Sequence, residues 1–61
     1  MNGLQVKEIR DRLNISREEL ARRLGISFFT ILRWEKGKTK PSPMAQKLLE
    51  RLVGDSEETN K

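Results

Sequence analysis

The 61-residue chain contains no cysteine, no histidine and no tyrosine, and its only aromatic side chains are Phe28, Phe29 and Trp34. Without cysteine there is no disulfide, and without cysteine or histidine there is no metal site of the usual zinc type. The common nucleophiles and general bases are reduced to serine, lysine and carboxylates, and no spacing among these suggests a catalytic site. A chain this short also leaves little room for a pocket of about 300 Å³. An enzyme, a cofactor, a metal and a small-molecule ligand are therefore not expected. No apolar run approaches the roughly 20 residues of a membrane span, and no signal-peptide pattern opens the chain. The lack of cysteine fits an intracellular compartment, so a cytoplasmic protein without a membrane partner is expected.

What remains is one domain with a small core, near the lower size limit for folding alone. The net charge is +4 and the pI about 10, a balance that points to an acidic polymer or surface. Asp55, Glu57, Glu58 and Lys61 make the last eight residues acidic by two charges, so the body up to Val53 carries +6. Arg33, Lys36, Lys38 and Lys40 lie within eight residues, opposed only by Glu35. Charge excess alone is a weak indicator, since a solvated surface is its commoner explanation.

Helix signals recur along the chain. Asn2 and Gln5 have capping-box spacing, and Val6, Ile9, Arg10 and Leu13 fall at helical intervals, predicting a helix over about 3–13 that Asn14 closes. Ser16-Arg17-Glu18-Glu19 is a stronger start, with Ser16 capping an amide and Glu19 reaching back to the Ser16 amide. Leu20, Ala21 and Leu24 give that second helix a buried stripe, and Gly25 ends it. Ile26 plugs the turn and Ser27 caps a third helix that runs to about Lys36 and stops at Gly37. Two short helices joined by a tight turn with glycine at its start form a helix-turn-helix pattern. After the basic loop Lys38–Pro41, Ser42 and Pro43 start a fourth helix over 43–53, with Met44, Ala45, Leu48, Leu49, Leu52 and Val53 as its stripe and Gly54 as its stop. Residues 54–61 read as an acidic, disordered tail behind a domain over 1–53.

The third helix has two unlike faces. At 100° per residue, Thr30, Ile31, Trp34 and Glu35 share one side, a core face interrupted by a carboxylate. Phe28, Phe29, Leu32, Arg33 and Lys36 share the other, where solvent is expected yet three of five residues are large and apolar. A lone buried charge is costly, so Glu35 needs a cation close by.

The ordered set Ser16-Arg17-Glu18-Glu19-Leu20-Ala21, Leu24-Gly25-Ile26-Ser27, Thr30-Ile31, Arg33-Trp34-Glu35-Lys36-Gly37 and Lys40-Pro41-Ser42 resembles the Cro/C1-type (XRE-type) helix-turn-helix family. The resemblance extends from Ile9-Arg10 and Leu13 to Leu52. It implies an all-α, lambda-repressor-like bundle of four helices, or five with a further one, whose third helix enters the DNA major groove. It implies that Phe28, Phe29, Leu32 and Arg33 face base edges, and that Ser16 and Arg17 lie against a phosphate. It also implies that Lys36 and the loop Lys38, Thr39 and Lys40 hold the backbone, and that Arg10 and Glu35 form a partly buried ion pair. The helix start at Ser27 adds amides that favour a phosphate. Two departures stand out. Family members usually carry glutamine where this chain has Arg17, and arginine cannot reproduce an amide's two-sided bonding to the third helix. The polar pair common at the start of that helix is here Phe28-Phe29.

The chemistry of the outer face fits these roles. A guanidinium at Arg33 matches guanine O6 and N7, and Phe29 and Leu32 can touch thymine methyl groups. The expected function is a sequence-specific double-stranded DNA-binding transcriptional regulator, nucleoid-associated, acting as a repressor. One subunit offers few contacts, so a homodimer in solution or on DNA is expected, with the fourth helix as its contact surface. The competing reading is a protein-interaction module that docks Phe28, Phe29 and Leu32 on a toxin, another partner protein or a second copy. Arg22 and Arg23 are expected to be ordinary solvated residues.

Overall fold

A computed structural model of the chain describes residues 1–59, with side chains as far as Asp55. Its four helices are α1 (Gly3–Leu13), α2 (Arg17–Leu24), α3 (Phe28–Glu35) and α4 (Pro43–Thr59), with no strand among the described residues. Each begins where a side chain accepts an amide that the helix cannot satisfy itself. Asn2 Oδ1 accepts from Gln5 N–H at 3.0 Å while the Asn2 N–H donates to Gln5 Oε1 at 2.8 Å, a complete capping box. Ser16 Oγ accepts from Glu19 N–H at 3.1 Å and Ser27 Oγ from Phe29 N–H at 3.0 Å. Ser42 Oγ accepts from Ala45 N–H at 3.2 Å.

Three of the helices close in one way. Asn14, Gly25 and Gly37 take positive φ angles of 58°, 71° and 78° just beyond α1, α2 and α3. In each case the next residue's N–H reaches five residues back: Ile15 to Arg10, Ile26 to Ala21, and Lys38 to Arg33. This is the Schellman closure, which turns the chain sharply enough for eight-residue helices to pack on one another. Helices that short do not hold in isolation, so packing stabilises them. The core comprises Val6, Leu20, Ala21, Leu24, Ile31, Trp34, Ala45 and Leu49, with Ile9, Ile15, Ile26, Leu48 and Leu52 against it. The helix α3 packs on both α1 and α2, and α4 also packs on both α1 and α2.

Three sequence expectations are corrected. Gly54 does not stop the last helix, which continues to Thr59. A glycine ends a helix by turning left-handed, whereas Gly54 keeps an ordinary φ and stays within α4, at a cost of about 1 kcal/mol relative to alanine. Residues 54–59 therefore extend α4 rather than forming a tail, and residues 60–61 of the expected tail lie outside the described residues. Met44 is 74% exposed, so it stands outside the apolar stripe it was assigned to. At the second position of α4 it precedes the turn that lies on the core, which starts with Ala45. Glu19 does not reach back to Ser16. Its carboxylate instead accepts from Arg23 Nε at 2.9 Å and lies 3.3 Å from Arg22 Nη1, at (i, i+4) and (i, i+3) spacing.

A close approach elsewhere fixes where α1 meets α3. A Cβ on Gly3 would overlap the Trp34 carbonyl oxygen and lie 2.9 Å from Glu35 Cα, so only glycine lets the start of α1 sit on the end of α3. Replacing Gly3 with alanine should destabilise the domain by about 1–3 kcal/mol, as overpacking does. Gly54→Ala should do the opposite and stabilise by up to about 1 kcal/mol, because that glycine is a helix-interior residue with open space beside it. Urea denaturation of the two variants against the parent chain measures both effects, and their signs should differ.

Candidate nucleic-acid interface

The inner side of α3 is anchored by Ile31, fully buried, and Trp34, 5% exposed. This fixes the helix's rotation and leaves the other side outward. Phe29 is 64% exposed. Arg33, one turn further on, is exposed, as are Lys36, Lys38, Thr39 and Lys40. Phe28 and Leu32 are half-buried, and neither joins the side chains packed against the core. The Phe28 ring meets the Phe29 ring edge to face, with centroids 5.6 Å apart and planes 78° apart. Of the three apolar outer residues, Phe29 is the one fully offered to a partner. Ser16 and Ser27, both exposed, spend hydroxyl lone pairs on capping, and each keeps its O–H to donate to an anion. The structure thus assembles the Ser27 helix start, the outer side of α3 and the basic loop into one cationic and apolar region of surface.

The Glu35 carboxylate is only 5% exposed, and it receives three donors. Arg10 Nε donates to Oε2 at 2.6 Å and Arg10 Nη2 to Oε1 at 3.0 Å, the expected pair in two-point form. The Arg10 Nη1 group also reaches the Ile15 carbonyl at 3.4 Å, at the turn between α1 and α2. The third donor was not expected from the sequence: Arg17 Nε donates to Glu35 Oε1 at 3.0 Å. Arginine at this place bonds the third helix as a donor only, as its chemistry requires. It does so through Glu35, because its long side chain reaches the carboxylate that Arg10 holds in place. The Arg17 side chain remains 40% exposed.

Burial would push the Glu35 carboxyl up, but the hydrogen bonds and charges of Arg10, and then of Arg17, outweigh it and hold the carboxyl below the ordinary glutamate value. The same hydrogen bond holds the Arg10 guanidinium above its ordinary value, against its own burial. The half-buried Glu19 carboxyl is lowered as well, first by its hydrogen bond to Arg23. Arg22 and Arg23 are accordingly exposed but paired rather than simply solvated.

No helix among the described residues is long and apolar enough to cross a membrane. The described residues also bring no three carboxylates together in a way that could hold a metal ion. Val6 to Gly54 match the profile of the helix-turn-helix family, and the chain belongs to its Cro/C1-type (XRE-type) branch. That family is a DNA-binding regulatory one rather than a family of enzymes. An uncharacterized HTH-type transcriptional regulator of Archaeoglobus fulgidus is 47% identical over 38 residues, which is 62% of this chain and 54% of the relative. The type II methyltransferase M.SsoII of Shigella sonnei is 48% identical over 40 residues, 61% of this chain but 11% of the relative. The match thus spans about half of the regulator and a small part of the methyltransferase. No solved structure gives a significant match.

Glu35 is ionised in the fold, and its lowered pKa sets the sign of its pH dependence. The stability it contributes is fully present above the ordinary glutamate value of about 4.3 and is lost as the pH falls through the lower folded value. Glu35→Gln should cost on the order of 3 kcal/mol at pH 7, because it leaves the half-buried Arg10 facing a neutral amide. The gap between variant and parent should shrink as the pH is lowered below 4. Urea denaturation at pH 7 and pH 3 measures both values.

Proposed function

We propose that this DNA-binding domain acts as a sequence-specific transcriptional repressor that lays α3 in the major groove as one half of a two-fold dimer. The observation that carries the reading is the outward side of α3. There an exposed Arg33 stands one turn from an exposed Phe29, beside the exposed cations Lys36, Lys38 and Lys40. Arg33 supplies bidentate donors for guanine O6 and N7, while Phe29 with the partly covered Leu32 and Phe28 supplies apolar contact for thymine methyl groups. Lys36, Lys38, Thr39, Lys40 and the hydroxyls of Ser16 and Ser27 hold phosphates on either side. Arg17, whose side chain is 40% exposed, joins them. The match to a transcriptional regulator over 62% of this chain supports the regulatory role.

A single subunit of this size makes too few contacts for the affinities of roughly 10⁻⁸ M or better that regulators use. Two copies on half-sites about one helical turn apart supply them, with α4 as the surface through which they meet. Occupation of such a site within a promoter excludes polymerase, which is the repressive outcome.

Selection of bound duplexes from a random pool, repeated at two salt concentrations, tests the proposal. A two-fold symmetric site containing guanine and thymine should emerge. With Lys36, Lys38, Lys40 and Arg17 each neutralising one phosphate, log K should fall against log salt with a slope near −3.6 per subunit. Arg33→Ala should cost about 1–3 kcal/mol on the selected site and relax preference at one base pair, with little change in the slope. A chain that selects no duplex, and loses self-association when Phe29 and Leu32 are changed to serine, is instead a protein-interaction module.

A further inference from the structure

An aromatic ring 64% exposed on a cationic surface is an unusual use of a recognition helix, and it is the feature that the phosphate and guanine contacts leave unexplained. Phe29 does not stand alone. Its ring rests edge to face on Phe28, 5.6 Å away, and Phe28 is itself half-buried, which limits how far the pair can swing. Arg33 follows at (i, i+4), on the same side of the helix and about 6 Å further along its axis. Successive bases of one strand are about 3.4 Å apart, so two such side chains reach positions one or two base steps from each other.

The major groove presents a single apolar group, the methyl on C5 of thymine. A phenyl ring has no donor or acceptor, so it does not distinguish the O4 acceptor of thymine from the N4 donor of cytosine. What it senses is the methyl group. Cytosine methylated at C5 carries that same methyl at the same place in the groove. We propose, building on the reading of α3 as the DNA-reading helix, that Phe29 reads the C5-methyl group of a pyrimidine within two steps of the guanine held by Arg33. At that position 5-methylcytosine replaces thymine, so that binding responds to cytosine C5 methylation of the site. The ligand class is therefore duplex DNA bearing a C5-methylated pyrimidine near a guanine, and unmodified cytosine is disfavoured by the absence of the methyl.

The test uses the full chain and the best duplex from the selection described above. At each thymine near the Arg33 guanine, four forms are compared: thymine, uracil, cytosine, and 5-methylcytosine, the latter two paired with guanine. Replacing thymine by uracil deletes only the methyl and should weaken binding about fourfold, the worth of burying one such group. Methylating the cytosine should strengthen binding by a similar factor. In Phe29→Ala both ratios should fall to one. Phe29→Leu, which keeps an apolar contact, should retain them in part. The exposure of Phe29 leaves the core intact in either variant, which thermal melting verifies. Equal binding of thymine and uracil forms at every such position, or a methyl effect that survives in Phe29→Ala, overturns this inference while leaving the DNA-reading role of α3 in place. A parent chain that selects no duplex overturns both.

Discussion

The position of α3 depends on one carboxylate. Glu35 sits at the end of that helix with 5% of its side chain exposed, and it takes donors from Arg10 on α1 and Arg17 on α2. These contacts span 25 and 18 residues of sequence, so the carboxylate ties three helices together at one point. Burying a charge is costly, and the cost is recovered only when the partners are well placed and the remaining lone pairs are used. Here the three hydrogen bonds satisfy it, and no buried side-chain polar atom among the described residues lacks a partner. An apolar residue would serve cohesion as well. What the carboxylate adds is direction, since a two-point guanidinium contact fixes angle as well as distance.

Direction matters because the two sides of α3 are not independent. The helix has eight residues, and its inner side is already set by Ile31, Trp34 and Glu35. Once those are seated, a helix at 100° per residue leaves no freedom in where Phe29, Arg33 and Lys36 face. The core therefore determines the geometry of the surface. Gly3 belongs to the same constraint from the other side, because its missing Cβ lets α1 abut the backbone of Trp34 and Glu35. A chain with no cysteine to form a disulfide holds an eight-residue helix to one orientation by packing, a local close approach and one ionic junction.

Most of the fold was legible because its signals are local. The caps at Asn2, Ser16, Ser27 and Ser42 and the turns at Asn14, Gly25 and Gly37 each act within four or five residues, a range that a linear reading covers. The Arg10–Glu35 pair came from family resemblance rather than from spacing. The errors arose where one residue type serves two ends. Glycine closes a helix or merely weakens it, and nothing near Gly54 told the two apart; the helix continued. Glu19 had a capping amide and two arginines within reach, and the charged partners prevailed. The phosphate role of Arg17 came from the family resemblance, and its bond to Glu35 is a second contact that the sequence did not announce. Its contact with Glu35 needs the three-dimensional placement of a residue 18 positions away, and Gly3 needed the same. The clue for Arg17 was present in weaker form, since a buried carboxylate has room for more donors than one guanidinium provides.

The outward side combines two kinds of contact whose physics differ. Lysines and arginines on phosphates gain affinity by releasing counterions, an effect that falls steeply with salt and carries no sequence information. An apolar ring against a methyl group gains from removal of water, which salt does not screen. A guanidinium such as that of Arg33 stands between the two in kind, since it is charged and can also match a base edge through geometry. A domain that relied on its +6 body alone would bind any duplex, and one that relied on Phe29 alone would bind weakly and slowly. The junction at Glu35 links Arg17, whose side chain is 40% exposed, to the helix bearing Phe29 and Arg33. The surface chemistry of this chain is thus intelligible only together with the interior that orients it, because one ionised carboxylate bonds both the core-facing Arg10 and the partly exposed Arg17.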